Sequence, residues 1–204
     1  TATSHSASTG TSPAGRSIRE PAREVPVLAE CDVAVFGGGT TGVCAAAAAA
    51  REGSRVVLVE RYGFLGGMAT AANVIVWHSL YGTDHRTKVI GGLPEEIIER
   101  LRRLDAVRSH EPEGGYDICP ETAKFVFDDV VLASGAKLLL HTRLVGAVRD
   151  RGRITAAIVE GKSGRAAILA DAYIDCTGDA DLLRFAGCPT RLGDGEGKCQ
   201  APTL

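Results

Sequence analysis

Gly37, Gly39 and Gly42 stand in the spacing G-x-G-x-x-G, directly after the apolar run from Asp32 to Phe36 and before an alanine-rich stretch that reaches Arg51 and stops at Gly53. That order reads as strand, tight turn, helix and cap. Each glycine has a physical reason. The first makes the tight turn, the second lets backbone approach a pyrophosphate, and the third lets the helix pack closely on the sheet. The start of such a helix also offers free N–H groups and a partial positive charge to phosphates. Arg55 to Val59 (RVVLV) is a second strand of buried type. Residues 31–60 therefore form a βαβ unit with two parallel strands and a right-handed crossover.

Glu60 ends that second strand, some twenty residues beyond the first glycine, where a carboxylate accepts hydrogen bonds from an adenosine ribose. A solvated strand end would also accept a Glu, but strand, triplet, helix, strand and acid in this order select a dinucleotide site. NAD and FAD share the ADP half. After Glu60 an NAD domain would usually proceed to a second crossover helix. Here Arg61-Tyr62-Gly63-Phe64-Leu65-Gly66-Gly67-Met68 is a second glycine loop able to return to the pyrophosphate, which favours FAD. The competing reading of this segment is a surface loop.

The rest of the chain sets boundaries. With 204 residues, 45% hydrophobic and 24% charged, it has the composition of a globular protein with one sizeable core. A formal net charge of -2 gives no reason to expect nucleic acid or an anionic membrane as a partner. Six cysteines, Cys31, Cys44, Cys119, Cys176, Cys188 and Cys199, show no C-x-x-C pair and no His at a zinc-like spacing, so they read as reduced thiols and no metal site is expected. The apolar run from Val43 to Ala50 falls far short of the roughly 20 residues that span a bilayer. The first residues carry neither an apolar signal core nor a twin arginine, and the chain begins with Thr, as a processed or truncated end would. The expected location is cytoplasmic.

Residues 1–30 are expected to be a disordered arm, to position 17, followed by an extended lead-in, with folding beginning at Cys31. Residues 31–187 form the nucleotide-binding domain, with an insertion at about 71–118 that is mostly loop until Pro94 opens a helix. A helix from Pro120 to Ser134 feeds a strand at Lys137 to His141. Arg143 to Val148, Ile154 to Val159 and Ala166 to Leu169 then form a meander, divided by Asp150-Arg151-Gly152 and Lys162-Ser163-Gly164. Ala172 to Cys176 reads as one more buried strand, which meets Thr177-Gly178-Asp179 and a short helix ending at Gly187. Residues 188–204 look like the start of a truncated downstream region.

These segments, with REPAREVPV, GFLGGMAT, GGLPEEIIERL, KLLLHTR and IDCTGDADL, resemble the FAD-dependent oxidoreductases of the glutathione-reductase-like two-dinucleotide class, in a subgroup with a GFLGGMAT loop. The resemblance implies an α/β fold: a Rossmann-like FAD-binding domain with a parallel sheet, an attached antiparallel β-meander and an inserted helical and loop segment. It implies that Gly37, Gly38, Gly39, Thr40, Thr41 and Gly42 hold the pyrophosphate of FAD. Glu60 and Arg61 would flank the adenosine, and Gly66, Gly67 and Met68 would approach the phosphates or the flavin side. The backbone of Val145 would meet the adenine, and Thr177, Gly178 and Asp179 would close over the cofactor. The reaction implied is hydride transfer between a small organic substrate and FAD. The chain departs from the pattern at Thr40-Thr41 and Cys44, and at Cys119, where loss of a good N-cap weakens the next helix by about 1 kcal/mol. No catalytic residue is assigned. Trp77, His78 and His85 lie where an acid or base near the flavin could sit, although a lone loop His is more often a surface residue. Cys176 reads as a strand residue rather than a redox thiol. The rivals are an NAD(P)-dependent dehydrogenase and a nucleotide-binding fragment without turnover.

Overall fold

A computed structural model of the chain describes residues 18–110, 114–191 and 193. The expected disordered arm, Cys199 and most of the 188–204 region lie outside the described residues. Strand β1 spans Val27–Phe36 and leads through Gly37–Gly39 into helix α1, Thr40–Arg51, and strand β2, Val56–Val59. The second glycine loop ends in the one-turn helix α2, Met68–Ala71. The insertion follows, with β3 (Val76–Trp77), α3 (Leu93–Arg103), β4 (Val107–His110) and β5 (Gly115–Ile118). Helix α4 (Pro120–Ala133) returns the chain to β6 (Lys137–Leu139). The meander strands β7 (Arg143–Asp150), β8 (Arg153–Gly161) and β9 (Gly164–Asp175) and the short helix α5 (Asp181–Phe185) complete the described elements.

The main sheet has the order β6-β2-β1-β9-β8-β7. Its first four strands are parallel, and β9-β8-β7 are antiparallel. Alternation along β2 shows how the sequence builds two cores: Val56 and Leu58 face one side, Val57 and Val59 the other, and all four are buried. On the first side Val43, Ala46 and Ala47 of α1 lie against the sheet, with Phe127, Val130 and Val131 of α4 and Leu101 of α3 behind them. The alanines of α1 leave little side chain between helix and sheet, so helix and strand backbones approach closely. On the second side Phe36, Val57 and Val59 meet Leu144, Val159, Ile168 and Leu182, so the meander and α5 cover that face. Each large side chain buried this way contributes about 1.5 to 3 kcal/mol.

Helix α3 has Glu95 and Glu96 in its first turn and Arg100, Arg102 and Arg103 in its last, in accord with the helix dipole. Glu96 also ties three helices together. It accepts from Arg51 of α1 at 2.7 and 2.9 Å and from Arg100 at 3.0 Å, and Arg100 pairs in turn with Asp129 of α4.

Three expectations change. Folding begins before Cys31: β1 starts at Val27, because Val27 and Ala29 pair with Ala167 and Ile168 even though Val27 and Leu28 are half exposed. The third meander strand and the separate strand at 172–176 are one strand, β9, which pairs antiparallel with β8 through Ile168 and parallel with β1 through Asp175. The insertion, expected to be loop and helix, holds a small sheet of order β3-β5-β4. Cys119 is the N-cap of α4 and makes no side-chain capping bond, in line with the weak start read from sequence.

Candidate functional site

The strands β6, β2, β1 and β9 run parallel, so the turns that follow them gather along one edge of the sheet. That edge, outside the carboxyl ends and beside the point where strand order reverses, is where open α/β sheets bind ligands. Gly37 leaves β1 with φ +96°, which an L side chain rarely adopts. A Cβ there would also lie 2.9 Å from Thr177 Cα, so the turn after β1 is pressed against the turn after β9. Cys176 N–H donates to Phe36 O at 2.7 Å across the same junction. Gly42 has no room for a side chain either, because its Cβ would overlap the Gly37 carbonyl.

Gly39 differs. Its φ of -67° suits any residue, and a Cβ would find nothing nearer than Gly67 Cα at 3.8 Å. The missing side chain leaves open space at the helix start rather than relieving a clash within the chain. Helix α1 has no side-chain cap and no acidic residue in its first turn, so the N–H groups of Thr40, Thr41 and Gly42 are available to an anion.

The second glycine loop sits directly on the first. Gly66 N–H donates to Gly38 O at 2.8 Å, and Gly39 and Gly66 form an isolated parallel bridge. Gly67 has φ +52°, and a Cβ on it would lie 2.8 Å from Gly39 Cα. The loop is fixed from below by Thr70, which is buried and whose hydroxyl donates to Leu65 O at 2.7 Å. Phe127 packs under Gly66. Met68, at the start of α2, is 63% exposed.

Glu60 is only 5% exposed. One carboxylate oxygen accepts Gly38 N–H at 2.6 Å and the other accepts Tyr62 N–H at 2.8 Å, so the acid locks the two loops as well as standing at the strand end. Each carboxylate oxygen retains further acceptor capacity for a ribose hydroxyl. Arg61 lies over the Tyr62 ring at 4.8 Å, and Tyr62 stacks on Phe64 at 5.7 Å. Val145 is the extra residue where the β7–β8 register shifts between Leu144 and Gly146, which leaves its backbone outside the ladder. Thr177 caps α5 by accepting Asp181 N–H at 2.8 Å and donates to Asp175 at 2.7 Å, and Gly178 and Asp179 are exposed at the tip of that turn.

The structure thus brings Gly37, Gly38, Gly39, Thr40, Thr41, Gly42, Glu60, Gly66, Gly67, Met68 and Thr177 into one cluster, with Arg61, Gly178 and Asp179 on its rim and Val145 at its bulge in β7. Sequence reasoning missed Thr70, Leu65 and Phe127, which hold the second loop. Their signal was an apolar residue before the glycine pair and a Thr after it, both compatible with an ordinary loop. Cys176 is held as a neutral thiol, its pKa raised chiefly by burial and further by Asp175, as befits a strand residue.

Trp77 and His78 fall on and beside β3, and His85 in the loop that follows. They are not at the glycine loops. Together with His110 of β4 they line a separate pocket of about 370 Å³. No group of three or more His, Cys, Asp or Glu side chains among the described residues is arranged to hold a metal.

Two glycine loops stacked at the carboxyl ends of parallel strands, beside a buried acid at the end of the second strand, define a dinucleotide-binding α/β protein. A family model for FAD dependent oxidoreductase matches residues 32–204. The chain belongs to that family, and FAD is its cofactor. Its fold is similar to that of THI4 from Thermovibrio ammonificans, with 22% identity, a TM-score of 0.56, and coverage of 76% of this chain and 61% of that one. A geranylgeranyl bacteriochlorophyll reductase-like protein from Thermoplasma acidophilum is similar at 17% identity and TM-score 0.56, over 78% of this chain and 42% of that one. OxyS anhydrotetracycline hydroxylase from Streptomyces rimosus is similar at 16% identity and TM-score 0.52, over 76% and 33%. The chain therefore spans less than two thirds of the length of each of these structures. No curated protein matches it. Among the described residues no helix is long and apolar enough to cross a membrane.

Proposed function

We propose that this chain supplies the ADP-binding half of an FAD-dependent oxidoreductase of the glutathione-reductase-like two-dinucleotide class, which moves hydride between a small organic substrate and FAD. The observation that carries the reading is the seating of Gly66 and Gly67 on Gly38 and Gly39, beside an uncapped helix start with open space over Gly39. FAD supplies the redox chemistry when bound, and the protein supplies position and electrostatics. The N–H groups of residues 40–42 receive the pyrophosphate at the positive end of α1. Glu60 accepts from the ribose while it holds Gly38 and Tyr62 in place. Val145 offers bulge backbone to the adenine, Arg61 flanks it, and the turn Thr177-Gly178-Asp179 borders the far side. Met68 lies where the second loop turns toward the flavin.

A net charge of -2 favours a small-molecule substrate over nucleic acid or an anionic membrane. The described cysteines are free thiols, which supports a reducing, cytoplasmic setting. The test is a fluorescence titration of the chain with FAD and with NAD. FAD is expected to bind at micromolar strength, on the order of -8 kcal/mol, and more tightly than NAD. Equal affinity for the two, or none for FAD, would overturn the reading.

A further inference from the structure

The turn Thr177-Gly178-Asp179 lies between strand β9 and helix α5, and one side chain behind it holds both of its flanks. Asp175, half-buried at the end of β9, collects three donors from the chain beyond it. Its Oδ1 accepts the N–H of Thr177 at 3.0 Å and the hydroxyl of Thr177 at 2.7 Å, and its Oδ2 accepts the N–H of Leu183 at 3.1 Å. Hydrogen bonds to a carboxylate are roughly twice as strong as those between neutral groups.

Helix α5 depends on that acid because its own N-cap is poor. The N-cap is Ala180, whose methyl group accepts no hydrogen bond and whose φ of +56° is one that alanine rarely adopts. The N–H groups that a capping side chain would take are taken from outside the helix. Thr177 Oγ1 accepts Asp181 N–H at 2.8 Å, and Asp175 accepts Leu183 N–H. Because the Thr177 hydroxyl gives its proton to Asp175, its lone pairs are left for Asp181. Removal of the carboxylate therefore releases Thr177 and Leu183 directly, and Asp181 through Thr177.

The position of Thr177 bears on the first glycine loop. Cys176 N–H donates to Phe36 O at 2.7 Å, and a Cβ on Gly37 would lie 2.9 Å from Thr177 Cα, so the turn has no slack against Gly37. A binding loop that is ordered before its ligand arrives spares the ligand the cost of ordering it. We propose that Asp175 is a positioning residue for FAD, which pre-forms the turn 177–179 and acts on the cofactor through Thr177. The effect on FAD rests on the function proposed above, whereas the holding of the turn does not.

The experiment compares Asp175→Ala, Asp175→Asn and Arg149→Ala in the 204-residue chain. Arg149 Nη1 donates to Ala186 O at 2.8 Å, so its loss loosens α5 from the far end and leaves the turn alone. In the FAD-free chain, hydrogen exchange followed by NMR is expected to quicken about tenfold or more at the amides of Thr177, Asp181 and Leu183 in Asp175→Ala. The amide of Cys176 is expected to stay protected by Phe36. In a flavin fluorescence titration, FAD affinity is expected to fall about tenfold or more in Asp175→Ala. It is expected to stay within about threefold in Asp175→Asn, whose carbonyl oxygen still accepts both Thr177 donors. Arg149→Ala is expected to bind FAD within about twofold of the unaltered chain, a result that a merely structural role of α5 would not give. Unchanged exchange in Asp175→Ala overturns the holding of the turn. Faster exchange with unchanged FAD affinity, an Asn variant as weak as the Ala one, or an equal loss in Arg149→Ala overturns the positioning of FAD. An unaltered chain that binds no FAD sinks the oxidoreductase reading by itself, and the exchange rates still decide whether Asp175 holds the turn.

Discussion

Gly39→Ala and Gly42→Ala place the same methyl group three residues apart and are expected to have opposite consequences. At Gly42 the added Cβ would lie 3.0 Å from Gly37 C and overlap its carbonyl oxygen, a backbone neighbour with no rotamer to give way. Overpacking of this kind costs about 1 to 3 kcal/mol, and more when backbone must move. The neighbour here is backbone, so the upper end applies, and alanine regains up to about 1 kcal/mol of helix propensity, which leaves a net loss of about 2 kcal/mol. That lowers the melting temperature by roughly 4 to 8 °C for a chain of this size. At Gly39 the nearest chain atom is 3.8 Å away and φ is ordinary, so the FAD-free protein loses only the difference between Gly and Ala at an N-cap, about 1 kcal/mol or less. The methyl instead fills the space assigned to the pyrophosphate. Charge-assisted bonds to the helix N–H groups are worth about 1.5 to 3 kcal/mol each, so disturbing one or two lowers FAD affinity on the order of a hundredfold. Urea denaturation of the FAD-free variants and FAD titration of both give the four numbers. Wild-type FAD affinity in Gly39→Ala, or equal destabilisation by the two substitutions, would refute the division of labour between these glycines.

Glu60→Gln keeps the shape of the side chain but turns an NH₂ toward one of the two backbone donors, Gly38 or Tyr62. It should destabilise the FAD-free protein by about 1 to 3 kcal/mol in urea melts, in addition to weakening FAD. An effect on FAD alone would mean that the carboxylate does not lock the loops. Glu96 is held at a pKa of about 2, below its usual 4.5, first by the Arg51 guanidinium and then by Arg100. Because the folded pKa is depressed, its contribution is fully present above about pH 4.5 and fades as pH falls toward 2. Glu96→Gln should therefore flatten stability against pH across that window, and an unchanged slope would count against the three-helix tie.

Much of the site was legible because its signals are local. The order strand, glycine triplet, helix, strand and acid occupies thirty contiguous residues, and Gly42 meets the carbonyl of Gly37 across the turn itself. The second glycine loop was legible as chemistry. Its support was not, because Thr70 and Phe127 matter only through contacts with Leu65 and Gly66 that a linear reading cannot weigh. The small sheet in the insertion escaped because its strands are two to four residues long, too short to show a period, and form only by mutual pairing. Strand β9 was divided in two because Asp171 and Ala172 are exposed in its middle and look like a turn. Pairing with β1 carries the strand through them, and Tyr173 folds its hydroxyl back to accept from Ala170 N–H at 2.9 Å.

The continuity of β9 bears on the order in which the chain can fold. The βαβ unit and the meander are each built from neighbours in sequence and can form quickly. The seam between β1 and β9 joins residues as far apart as Val27 and Ala167, 140 positions. Contacts of such separation carry a large loop-closure entropy and slow the search for the native state. One seam serves both halves, so neither can seat its last strand alone. The turn at Thr177-Gly178-Asp179 hangs from the end of that seam and can reach Gly37 only after it closes. During synthesis the glycine cradle would therefore remain without its third wall until the chain had emerged beyond Asp179, and the nucleotide pocket would mature late although its first glycine stands near the start.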